Sequence, residues 1–238
     1  MTQIKSIIIE GVDRLGKDSL ISGLKHQLGQ FQVVHYQKPE LLDIYVNDAQ
    51  RNFNTTQLDS QVKNSALKSY QIESFRGMFH MLSSDGKFIL NRAHLGEFVY
   101  SPRYRQYDGS YVFDLEQRFI NDLGSNFHET TLLVLLHTSD FSFIKDDGLS
   151  FDFDKKEEEQ IDFIRAFERS HIKNKLMLDV CNGSGNFTSK QQILSVVVSA
   201  VKNALWHPHP VLNVKWAVKD GVVEQVSDFQ PDPKGMVF

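Results

Sequence analysis

Apolar residues in this chain come either in short unbroken runs or at helical spacing, and the two kinds of segment alternate. Ile4 to Glu10 is a compact β-branched run closed by Gly11, and a helical pattern begins near Lys17 and continues through Leu20, Ile21, Leu24 and Leu28. The order predicted is strand, glycine turn, helix. A second strand, Gln32 to Tyr36, stops at Gln37-Lys38-Pro39, because proline cannot donate to a ladder. From Gln57 to Leu82 the residues Leu58, Val62, Ala66, Tyr70, Phe75, Met78, Phe79 and Leu82 fit one face of a long helix, a stripe that reads mostly as core. Lys87 to Leu90, Thr130 to Leu136 and Lys175 to Val180 are the third, fourth and fifth strands. None shows the strict alternation of a half-wet sheet. Near-continuous apolar strands separated by helices predict an α/β fold in which a five-stranded parallel sheet is covered on both faces.

Polar segments divide the rest. Between the fourth and fifth strands, Asp146-Asp147-Gly148 and the stretch to Asp154 read as a loop, followed by a helix from Lys155 to His171. Its charge run, Lys155 to Glu159, reads as a solvated first helical turn, where acidic residues suit the helix dipole. After a last helix, Lys190 to Leu205, the run His207-Pro208-His209-Pro210 breaks the pattern. Val211 to Val218 and Val222 to Val226 then flank Lys219-Asp220-Gly221 like a β-hairpin. Residues 1–205 thus read as one domain and 206–238 as a C-terminal extension. His207 and His209 have no Cys or acidic partner nearby and read as a helix break, not a metal site.

Composition narrows the classes. The 238 residues are 41% hydrophobic, enough for one sizeable core. Lys and Arg total 26 against 30 Asp and Glu, a net charge of −4 without the basic excess of a nucleic-acid-coating protein. The single cysteine, Cys181, forms no intramolecular disulfide and reads as a small buried hydrophobe in a reducing compartment. No apolar run approaches the roughly 20 residues of a membrane span, and no basic-then-apolar leader opens the chain. The location expected is cytoplasmic, with neither membrane nor nucleic acid as partner.

The chemistry is concentrated at the first glycine turn. Gly11-Val12-Asp13-Arg14-Leu15-Gly16-Lys17 has the G-x-x-x-x-G-K spacing between a buried strand and a helix. That spacing lets backbone N–H groups wrap the phosphates of ATP while Lys17 reaches the β and γ oxygens, and the helix N-terminus adds partial positive charge. Asp18 stands where a hydroxyl residue usually meets Mg²⁺, with Ser19 next to it. A carboxylate is a competent Mg²⁺ ligand, and Asp18 reads equally as a helix-start residue.

Glu10-Gly11-Val12-Asp13-Arg14-Leu15-Gly16-Lys17 resembles the E-G-x-D-x-x-G-K loop of the thymidylate kinase family, in the subclass whose catalytic arginine lies within the loop. Consistent with that subclass, the lid segment offers no arginine, only Lys145. Asn91-Arg92-Ala93-His94 occupies the place of the family's D-R-[YFH] motif, and Gly96-Glu97-Phe98-Val99-Tyr100-Ser101-Pro102, with Arg103 and Arg105, is similar to phage-encoded members. The resemblance covers residues 4–203 in element order. It implies a P-loop NTPase three-layer sandwich using ATP and Mg²⁺ to phosphorylate a deoxynucleoside monophosphate, dTMP first, for dNTP synthesis. For a phage gene the location would be the host cytoplasm.

On the same footing, Lys17 and Arg14 would stabilise the transferring phosphoryl group, Asp13 would hold the acceptor sugar's 3′-hydroxyl, and Arg92 would grip the acceptor phosphate. Tyr70, Phe75 and Arg76 would meet the base. Glu97, Asp18 and Ser19 are the residues expected around the metal, and Glu97 reads equally as organising Arg92 or as a helix-surface residue. Asn91 departs from the expected aspartate where Asp18 has gained a carboxylate. The glycines of Asn182-Gly183-Ser184-Gly185-Asn186 would let a loop approach the adenine, or simply form a turn. Lys38 before Pro39, where deoxynucleoside kinases place an acid, favours a monophosphate acceptor over a nucleoside. A deoxynucleoside kinase and an inactive nucleotide-binding homologue remain the alternatives. Related kinases are commonly homodimers, and the sequence leaves the oligomeric state open.

Overall fold

The computed structural model describes residues 3–35, 57–144, 153–182, 185–203, 215–219 and 222–226. Five strands form one parallel sheet: β1 (Ser6–Glu10), β2 (Gln32–His35), β3 (Phe88–Asn91), β4 (Thr131–His137) and β5 (Asn174–Asp179), in the order β2-β3-β1-β4-β5. β1 lies at the centre, and its Ile7, Ile8 and Ile9 are wholly buried, as its β-branched run requires. The register sets Ile9 beside Asn91, His35 beside Asn91, and Glu10 beside Leu135. Glu10, His35 and Asn91 therefore share the carboxyl edge of the sheet, where open α/β sheets bind ligands.

Helices cover both faces in a three-layer sandwich. On one face α1 (Lys17–Gln27) packs against α7 (Lys190–Asn203), with Gly23 close against Leu194. On the other lie α2 (Gln57–Leu82), α3 (Leu95–Tyr100), α4 (Tyr111–Asn121), the short α5 (Phe127–Thr130) and α6 (Lys156–Arg169). Phe79 of α2 contacts Phe119 of α4 and Phe127 of α5, with ring centroids 5.4 and 5.2 Å apart. α3 runs directly into a π-helical turn, Ser101–Arg105, and leans on α6. β6 (Lys215–Lys219) and β7 (Val222–Val226) pair antiparallel, as the hairpin pattern predicts. Among the described residues no helix is long and apolar enough to cross a membrane.

Several local expectations are corrected. The charge run at the start of α6 is not simply a solvated turn. Lys156 and Glu159 are buried, paired at 2.8 Å, and the Tyr104 hydroxyl donates to the second Glu159 oxygen at 2.7 Å. Tyr70 is 46% exposed, outside the core stripe to which its spacing assigned it, whereas Phe75 is part of the core. Residues 95–105 and 111–121 are helical although the chain pattern identified no element there. Pro102 and Gly109 cut their apolar positions into windows too short to show a period.

Candidate functional site

The phosphate loop is shaped by two glycines with different tasks. Gly11 has φ +132°, and a Cβ there would stand 2.3 Å from the carbonyl oxygen of Leu136 on β4, so only glycine lets the loop leave β1 this close to its neighbour. Gly16 caps α1 in the left-handed region at φ +82°. Between them Arg14 also lies at positive φ, 76°, an uncommon conformation for a side-chain-bearing residue that points to local constraint. Lys17 is buried, and its ammonium donates to the carbonyls of Gly11 at 2.8 Å and Val12 at 2.6 Å.

Asp13, Arg14, Gly16, Lys17, Asp18, Ser19, Asn91 and Arg92 line one cleft of about 530 Å³. The structure thus brings the loop predicted for ATP together with the arginine predicted for the acceptor phosphate. Arg92 pairs with Asp13, whose Oδ1 also lies 3.8 Å from the Lys17 ammonium. Burial works against the charge of Asp13, yet Arg92 and Lys17 hold its carboxyl below the usual range. Burial, reinforced by the nearby Arg92 charge, pulls Lys17 down to about 8. Arg92 is pushed the other way, kept cationic by Asp13 against the cost of its own burial.

Asp18 and Asn91, the two departures from the expected motifs, are neighbours. Asn91 Nδ2 donates to Asp18 Oδ1 at 2.7 Å and lies 3.2 Å from His35 Nδ1, while Asn91 Oδ1 is buried without a hydrogen-bond partner. Asp18 and Ser19 both line the cleft and offer oxygen donors, the ligand type that Mg²⁺ takes. Among the described residues no cluster of three His, Cys, Asp or Glu is arranged to hold a metal by itself.

Glu97 is not brought to this cleft. It is buried, and its carboxylate accepts from Arg105, from the Tyr107 and Tyr111 hydroxyls at 2.8 Å each, and from Gln71 Nε2 at 3.5 Å. Four donors occupy the lone pairs that a metal or its waters would need, so the structure gives Glu97 a tethering part in place of the expected metal role. Phe75 is packed in the core, and exposed Arg76 pairs with Glu73 one helical turn away at 2.6 Å. Lys38, Lys145, Gly183, Ser184 and the 207–210 break lie outside the described residues.

Sequence reasoning missed Glu10 as more than a motif letter. Its buried Oε1 accepts the Ala93 N–H at 2.8 Å, tying the end of β1 to the Arg92 turn, and burial lifts its carboxyl above the ordinary range. The E-G pair of the loop motif was the available signal.

No protein-family model matches this sequence, and no curated protein matches it either. Solved structures match its fold. The YorR protein of Bacillus subtilis, solved in complex with phosphorylated GDP, superposes with a TM-score of 0.53 at 15% identity, covering 86% of this chain and 99% of that one. Thymidylate kinase from Candida albicans gives 0.53 at 14% identity, covering 85% and 92%, and thymidylate kinase from Ehrlichia chaffeensis gives 0.50 at 14%, covering 84% and 99%. At these identities the likeness establishes a P-loop kinase fold.

Proposed function

We propose that this chain transfers the γ-phosphoryl group of ATP to a deoxynucleoside monophosphate, with dTMP the leading acceptor. One observation carries the reading: the Arg92 guanidinium and the Lys17 ammonium, from two separate sequence motifs, converge on the single carboxylate of Asp13. Two cations at one point suit a reaction that joins a phosphate acceptor to a phosphate donor. In that reaction an acceptor phosphate oxygen attacks the γ-phosphorus as the bond to the β-bridging oxygen breaks, and charge stabilisation matters more than proton removal. The fold likeness to two thymidylate kinases and to a protein solved with a phosphorylated guanine nucleotide supports a nucleotide substrate.

Each residue then has a task. The loop N–H groups cradle the donor phosphates, and Lys17 exchanges its two loop carbonyls for the β/γ oxygens. Arg14 neutralises the transferring group, Asp13 meets the acceptor sugar, and Arg92, aided by Lys38, holds the acceptor phosphate. Mg²⁺, when bound by Asp18 and Ser19, would neutralise phosphate charge. An ionised Asp13 with a depressed pKa is a poor general base, which weighs against a nucleoside acceptor whose 5′-hydroxyl must lose a proton.

Steady-state kinetics of wild type, Arg92→Ala, Lys38→Ala and Lys38→Glu with dTMP and thymidine test this. Arg92→Ala is expected to raise KM for dTMP and lower kcat while ATP affinity changes little. Lys38→Glu should depress dTMP turnover more than Lys38→Ala. Thymidine as the better wild-type substrate, or equal losses on both acceptors, overturns the reading.

A further inference from the structure

Outside the cleft, one buried polar group has no part in the chemistry above. Glu116 on α4 is fully buried, at 0% exposure, far along the chain from either motif. Its Oε1 accepts the Ser170 hydroxyl at 2.7 Å and lies 3.2 Å from His94 Nε2, a close contact without hydrogen-bond geometry, and its Oε2 accepts the His171 N–H at 2.7 Å and lies 3.0 Å from His171 Nδ1. A buried carboxylate is costly unless paired and hydrogen-bonded, so this site is built around a charge. His94 is itself fully buried, with its ring 5.3 Å from Phe79 and 6.4 Å from Phe113. Two residues before it stands Arg92.

Arg92 needs holding. Its φ is +65°, a left-handed conformation that a long side chain adopts only when its surroundings over-determine it. Three consecutive residues supply attachments. The Arg92 N–H donates to the Ile9 carbonyl at 3.0 Å, the Ala93 N–H donates to Glu10 Oε1 at 2.8 Å, and the His94 ring abuts Glu116. The first two tie the turn to β1. The third ties it to α4 and, through Ser170 and His171, to the end of α6.

We propose that Glu116 is a positioning residue for Arg92, acting through His94: it holds the imidazole in the core and so fixes the strained turn that aims the guanidinium into the cleft. This deepens the reading of Arg92 as the acceptor-phosphate contact and rests on it for its catalytic consequence. The geometric consequence stands by itself. Glu116→Gln removes the charge at constant shape, and His94→Leu removes the ring nitrogens, whereas His94→Gln keeps a polar N–H group beside Glu116.

Two measurements on the full chain separate the claims. The first is the Arg92 Nε–H cross-peak in arginine-¹⁵N-labelled protein, assigned by its loss in Arg92→Lys. It should be sharp in wild type and His94→Gln, and broadened or split in Glu116→Gln and His94→Leu. The second is kinetics with dTMP, where the disruptive variants should lose about ten- to hundredfold in kcat/KM, the scale of a misplaced contact, with Kd for ATP within about twofold of wild type. An Arg92 signal unchanged in both disruptive variants overturns the proposal, as does an equal loss of ATP and dTMP binding with the signal unmoved. If wild type phosphorylates no monophosphate yet the signal broadens, the acceptor assignment falls and the positioning role stands. Should Glu116→Gln fail to fold, Ser170→Ala removes a single donor from Glu116 and is read by the same signal: broadening supports the positioning role, and an unchanged signal overturns it.

Discussion

Lys17 is a cation that the fold itself weakens, and this makes its titration visible. Removed from water and set near Arg92, it holds its proton with a pKa of about 8, against 10.5 for an ordinary lysine. The sign follows: between those two values the unfolded chain binds more protons than the folded one, so this group makes the ligand-free protein more stable as pH rises. Activity should move the opposite way, since only the charged form stabilises phosphate oxygens. In a pH profile, kcat/KM for ATP is expected to fall along a single-proton limb centred near 8. Lys17→Ala should fold yet lose at least about a hundredfold in turnover, which leaves no limb to observe. Wild-type turnover in that variant would remove the phosphate-loop assignment.

Asp18 and Asn91 make a second test at this scale. In the sequence they read as one carboxylate moved across the site, and their side chains are 2.7 Å apart. Asp18→Ser and Asn91→Asp should each weaken Mg²⁺-dependent activity, and the double change should recover part of it. Simple additivity in the double-mutant cycle would show that the two positions do not share the metal.

Among the elements, those legible in the sequence share one property: their own residues carry the whole signal. β1 is three adjacent isoleucines and Glu10 before a glycine, and α1 begins at Lys17 after Gly16, which takes the left-handed capping conformation. The elements missed depend on partners. α3 continues into the Ser101–Arg105 π turn, whose Arg103 donates to Glu158 at 3.2 Å and Asp162 at 2.6 Å while Tyr104 reaches Glu159. Three ties to α6 hold this turn, and π-helical turns are rare without such support. The acidic start of α6 looked solvated for the same reason: its Lys156–Glu159 pair is local, but Tyr104, which donates to the same carboxylate, stands 55 positions away in the chain.

Across the whole molecule, buried charge is the feature most exposed to pH. Burial opposes the ionised form of Glu116, but the hydrogen bonds from His171 and the nearby His94 ring hold its pKa below the ordinary glutamate value of 4.5. A depressed carboxylate contributes stability that is present above the unfolded pKa and lost as pH falls through the folded one. Melting temperatures of wild type should therefore drop on acidification below about 4.5, and the curve of Glu116→Gln, lower at neutral pH, should converge with it. Parallel curves over that range would deny Glu116 its role as the ionised centre of the core.

By itself the sequence determined the parallel α/β class, the first strand and the glycine turn that opens α1, while the second arginine motif was legible only through a family resemblance. The class, strand and turn rest on local spacing, where hydrophobic period and glycine placement leave little choice. Only the tertiary structure decided which polar residues are functional neighbours. It placed Asp18 on Asn91, closed Arg92 onto Asp13, withdrew Glu97 into a shell of tyrosines and an arginine, exposed Tyr70, and buried Glu116 behind His94. The reason is physical: a carboxylate's role depends on whether donors reach it and water does not, and both are set by chain segments that the sequence keeps far apart.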